Sequence, residues 1–231
     1  MKTSRKVEYV NFPIVLLQGF MQNHKNCILD AFSYAFYRYA KERHLFDVKE
    51  MLRAATSFYR LNLPTDLDAI SRGKMLYESI EPKSPSCGAK INILLEYLNE
   101  PKTESQRIEL LAFMALNSII GVQVFKKFTY QYLFSRMCGF EKMVEFSELD
   151  ANIRKYASRY KRDRLSQVLA TEWHVMIITD PNIRGVYASM KLSYLELWEV
   201  ILKRSKKYKL KQVEKARADA KEQVKRKLGL D

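Results

Sequence analysis

Apolar residues recur at three- and four-residue spacing along most of this 231-residue chain, and only seven Gly and six Pro interrupt them. That period lays one face of an α-helix against a core, so the bulk of the chain is predicted to be helical. NCILDAFSYAFYRYAKERHLF puts Ile28, Leu29, Phe32, Ala35, Phe36 and Tyr39 on one stripe, predicting a buried helix crowded with aromatics. DVKEMLRAATSFYRLNL predicts a second helix, opened by Asp47 and Glu50 at capping-box spacing. TDLDAISRGKMLYESI predicts a third, stopped by Pro82 and Pro85, and SCGAKINILLEYLNE a fourth, stopped by Pro101. Thr103 and Gln106 then form a capping box ahead of RIELLAFMALNSII, which Gly121 is expected to end by a left-handed exit. The polar, proline-bearing EPKTES before that box is the expected domain boundary.

Between residues 145 and 203 the period changes three times. FSELDANIRKYA reads as a short helix with Ser147 and Asp150 at capping-box spacing and Leu149, Ile153, Tyr156 and Ala157 facing inward. After SRY a second helix starts near Lys161, its inner face being Leu165, Val168, Leu169 and Trp173. HVMIIT is β-branched, DPNIRG is a turn by composition, and VYASMKL alternates Val186, Ala188, Met190 and Leu192 against Tyr187, Ser189 and Lys191; together they predict a hairpin. Ser193 and Glu196 form another capping box that returns the chain to a helical period. The tail holds good helix formers with a thin apolar line through Leu210, Val213, Ala216, Ala220 and Val224, enough for an exposed helix and too little for a core position. Trp173 and Trp198 fall on apolar stripes and are assigned to the core.

Composition adds a localised charge. The net charge is +14 with a pI near 9.6, and residues 151–211 carry +9 of it against +3 in 1–100, 0 in 101–150 and +2 in 212–231. Such asymmetry points to a polyanionic partner. Cys27, Cys87 and Cys138 are odd in number and lack metal-ligand spacing, as expected of buried thiols in a reducing cytoplasm. MKTSRKVEYVNFPIV lacks a signal-peptide apolar run, and LLAFMALNSIIGVQVF is interrupted and shorter than the ~20 residues a spanning helix needs, so a cytoplasmic chain without membrane insertion is expected.

The order helix, turn, helix, hairpin, helix, with a basic second helix, resembles the winged helix-turn-helix DNA-binding module over 145–203, about a quarter of the chain. The resemblance implies a second helix in the major groove and a wing over the flanking backbone. The expected fold class is therefore mainly α: a helical amino-terminal domain over 1–102, a helical segment plus winged-helix-like module with one β-hairpin over 103–203, and a basic helix or tail over 204–231. With Leu165 facing inward, the outward arc holds Asp163, Arg164, Gln167, Ala170 and Thr171. Arg164, Gln167 and Thr171 are the candidate base contacts. Arg159, Lys161 and Arg162 at the helix start, Arg184 at the hairpin tip, Lys191, and the run Lys203, Arg204, Lys206 and Lys207 are the candidate phosphate contacts. Asp163 opposes phosphate binding unless it orients Arg159 or Arg164. FKKFTYQYLFSRMCGF, with Thr129 as cap and Lys126, Lys127 and Arg136 nearby, is a second placement for half of a helix-turn-helix; its neutral surroundings favour a packing role.

Catalytic chemistry finds little support, and no catalytic residue, cofactor or metal is assigned. His24, His44 and His174 share no metal-ligand spacing, ISRGK is no phosphate loop, Ser86 and Ser135 lack a nucleophile-elbow context, and Asp66 and Asp68 suit a helix start. The expected function is non-catalytic binding of double-stranded DNA, as in a transcriptional, replication or mobile-element regulator. A helical adaptor docking an acidic protein, of toxin-inhibitor or phage-defence type, is the alternative. A homodimer would rest on the aromatic helix near Phe32 or the apolar line of the tail.

Overall fold

A computed structural model describes residues 9–59, 68–179 and 185–227. The aromatic stripe forms α1, Phe20–Glu42, with Ile28, Phe32, Ala35 and Phe36 buried. Tyr39 is half-buried, and Leu29 is exposed, one residue step around the helix from the centre of that face. Helix α2, Val48–Tyr59, opens with the Glu50 amide donating to Asp47 Oδ1 at 2.9 Å, as the spacing predicts. Helix α3, Asp68–Ser79, lies so close to α1 that a Cβ on Gly73 would sit 2.1 Å from the Ser33 carbonyl oxygen. Asp66 lies outside the described residues.

SCGAK does not begin the fourth helix. Ser86–Lys90 is a strand, β2, paired antiparallel with β1, Tyr9–Pro13, and helix α4 spans only Ile91–Asn99. The register sets Gly88 opposite Asn11, where a Cβ would meet the Asn11 side chain at 2.3 Å and the Val10 carbonyl at 2.7 Å. The partner that makes this a strand is remote in sequence, so the apolar period beginning at Ile91 extends misleadingly back over it.

Helix α5, Glu104–Ile120, is the central element. Ile108, Leu110 to Leu116, Ile119 and Ile120 are all buried, the pattern of a helix surrounded by partners. Its capping box forms as predicted, with Gln106 N–H donating to Thr103 Oγ1 at 3.3 Å and Thr103 N–H to Gln106 Oε1 at 3.0 Å. Gly121 ends it at φ +55° and ψ −130°, a positive φ outside the left-handed helical well. One apolar core runs from Val10 to Ala188, continuous beneath the polar stretch expected to divide the chain near residue 102.

Past α5 the chain forms β3, Lys126–Phe128; α6, Tyr130–Met137; α7, Ala151–Arg154; α8, Arg159–Thr171; β4, Met176–Thr179; and β5, Val186–Ser189. The predicted hairpin is present, and β3 adds a third antiparallel strand in the order β3-β5-β4. Because β5 is central, all four of its residues are buried, so the predicted alternation of inward and outward positions fails there. Ser189, fully buried, donates to the Val124 carbonyl at 2.7 Å and accepts from the amides of Lys191 and Leu192. The Ser147 cap is also corrected. Phe146–Glu148 is a 3-10 turn closed by the Glu145 amide on Glu148 Oε1, and Asp150 caps α7 by accepting from the Asn152 amide at 2.8 Å. Helix α9, Tyr194–Lys227, begins at the Ser193–Glu196 capping box and runs without a break past residue 204, burying Leu197 and Ile201. Among the described residues no helix is long and apolar enough to cross a membrane.

Candidate nucleic-acid interface

Helix α8 is held on two sides. Leu165 and Leu169 are buried toward α5, and just past the helix Trp173 packs its ring on Phe113 with centroids 4.8 Å apart, the core role its stripe predicts. On the α6 side the Arg162 guanidinium lies 4.7 Å from the Tyr130 ring, and the Tyr130 and Ser166 hydroxyls are 3.5 Å apart. Ser158 precedes α8 without a side-chain cap, leaving the first-turn amides of a basic helix open.

Most of the predicted residues are exposed nonetheless, Lys161 and Arg164 on the side of the helix that borders α5. Arg159, Lys161, Asp163, Arg164, Gln167 and Thr171 are exposed along α8. Arg159 and Asp163 approach to 3.8 Å, an exposed pair one turn apart that contributes little to stability. The Lys161 ammonium lies 5.2 Å from the Tyr156 ring. The Thr171 hydroxyl donates to the carbonyls of Gln167 and Val168, so toward a ligand it can only accept. Arg162 does not join this exposed set. It is half-buried on Tyr130, and its Nε is buried without a hydrogen-bond partner.

The remaining candidates stand apart. Lys191 Nζ donates to the Val122 carbonyl at 3.1 Å, and the Arg204 guanidinium lies 5.3 Å from the Phe125 ring. Both therefore rest on the segment leading into β3, whereas α8 leads into β4 at the other edge of the sheet. Lys203 and Lys206 are exposed, Lys203 reaching Glu199 at 3.8 Å. Arg184 and the Lys207 side chain lie outside the described residues.

A cleft beside α8 escapes sequence reasoning. Ser105 and Glu109 of α5, Tyr156, and Tyr160, Lys161, Arg164, Leu165 and Val168 of α8 enclose about 290 Å³. Tyr160 is 75% exposed although it belongs to this lining. Ser105 Oγ donates to Glu109 Oε1 at 3.0 Å. The one sequence signal is the spacing of Tyr156 and Tyr160, four positions apart among cations, and only the packing of α8 on α5 adds the carboxylate.

Among the described residues no three His, Cys, Asp or Glu side chains converge as a metal site would require. Burial raises the thiols of Cys27 and Cys138 to about 11 and that of Cys87 further, so near neutral pH they are apolar groups rather than nucleophiles. No protein-family model, no curated protein and no solved structure matches this chain.

Proposed function

We propose that the chain binds double-stranded DNA without catalysis, through a winged-helix-like unit in which α8 lies against the duplex. The observation that carries this reading is the exposure of Arg159, Lys161, Arg164, Gln167 and Thr171 along α8, a helix anchored by the buried Leu165 and Leu169. A rigid helix presenting cations near its amino terminus and amide and hydroxyl groups farther along suits phosphate contact first and base-edge contact next. The hairpin that follows α8, completed by β3 into a three-stranded sheet, supports the resemblance. Arg164 and Gln167 read bases in this scheme, and Arg159 and Lys161 hold phosphates.

Fluorescence anisotropy with a labelled duplex across a salt series tests the reading. Affinity falls as salt rises, with a slope in log–log form of about −0.9 per phosphate contacted. Arg164→Ala and Gln167→Ala relax sequence preference, whereas Lys161→Ala weakens every duplex alike. A flat response from low to physiological salt would refute the proposal.

A further inference from the structure

We infer that the cleft between α5 and α8 receives one unpaired nucleobase bearing an exocyclic amine, so that the DNA this chain prefers carries a locally opened or bulged nucleotide. The inference rests on the α8 reading above and names the form of DNA which that site takes.

Size gives the first argument. At about 290 Å³ the cleft lies at the bottom of the range of small-molecule pockets, roughly 300–1,000 Å³. It has room for one planar ring system and none for a folded peptide segment. Its lining gives the second. Tyr156 and Tyr160 supply aromatic rings, that of Tyr156 lying 5.2 Å from the Lys161 ammonium, Leu165 and Val168 supply apolar surface, and Lys161 and Arg164 supply cations. Aromatic platforms beside cations are what a single-stranded base with its flanking phosphates requires, and a paired base inside a duplex cannot reach such a platform.

Glu109 supplies the selectivity. It is half-buried in this otherwise basic cleft, and among the described residues it forms no ion pair, although Lys161 and Arg164 line the same gap. Ser105 donates to its Oε1, and among the described residues Glu109 has no other hydrogen bond, so its carboxylate keeps capacity to accept from a ligand. Adenine, cytosine and guanine each offer an exocyclic N–H₂ to such an acceptor. Thymine presents carbonyl oxygens on both sides of its single N–H, and these repel a carboxylate.

The test uses the full chain and labelled duplexes of one sequence, either fully paired or with a single extra adenine, cytosine or thymine. The adenine and cytosine bulges bind about tenfold more tightly than the paired duplex, the scale of one base stacked on an aromatic ring, and the thymine bulge gains less. Tyr160→Ala brings the bulged-to-paired ratio close to unity, and Tyr160→Phe preserves it because the ring remains. Glu109→Gln removes the difference between adenine and thymine bulges. These side chains lie outside the core, and the ratio within each variant is insensitive to the fraction of active protein. Equal affinity for bulged and paired duplexes, with both bound at low salt, overturns this inference and leaves the α8 reading standing. Failure to bind either duplex overturns both.

Discussion

Arg162 shows how a residue's neighbours decide its use. In sequence it is one of four cations within six positions, yet its guanidinium stacks on Tyr130 and its Nε is buried without a partner. Arg162→Ala should therefore destabilise the fold by about 1 kcal/mol through the lost stacking, measured by urea denaturation, while Lys161→Ala should leave stability nearly unchanged and, in the proposed function, weaken DNA binding. His24 makes a comparable argument through pH. Burial first, then the charges of Arg107 and Lys25, hold its pKa below the ordinary 6.5, and its Nε2 is buried without a hydrogen bond. The folded chain thus prefers neutral His24, and the stability this gives is present above pH 6.5 and lost as the pH falls through the folded pKa. Thermal melts from about pH 7 to 5 should show that loss, and His24→Gln should flatten it. Cys27 and Cys138 run in the opposite direction: with pKa values raised to about 11, their contribution is present below the ordinary 9.0 and lost as the pH climbs through 11.

Among the elements, what local chemistry dictates is easily read and what remote partners dictate is not. Asp47, Thr103, Thr129 and Ser193 each accept from a helix-start amide as their spacing predicts, because a cap needs only residues three positions apart. Thr103→Ala should cost about 1 kcal/mol in a denaturation experiment. Strands β1, β2 and β3 carry no comparable signal, since each is short and is made a strand by a partner far along the chain. Gly73 illustrates the same limit: nothing around it announces that α1 passes directly against its backbone. Gly73→Ala should destabilise by about 1–3 kcal/mol, because the obstacle is the Ser33 backbone rather than a movable side chain.

At the scale of the whole molecule, the charge excess of 151–211 divides between two places. Helix α8 forms one; Lys191 and Arg204, tied to the segment before β3, begin another that continues into α9. Truncation after Ser205 keeps Arg204 on Phe125 and removes the later cations. In the proposed function it should lower the salt slope by about one for each phosphate that α9 no longer neutralises while leaving sequence preference intact, as read by anisotropy on matched and mismatched duplexes. An unchanged slope would mean that α9 does not touch the duplex.

The helical character of the chain, the caps, the β4–β5 hairpin and the exposed positions of α8 can all be read from the order of residues, because each follows from spacing within a turn or two and from the preference of apolar side chains to leave water. Tertiary structure alone decided that β5 is central and buried on both faces, that Arg162 leaves the basic set for Tyr130, and that Glu109 meets Tyr160 across a cleft. These are pairings between segments remote along the chain, and periodicity within one segment carries no information about what packs against it.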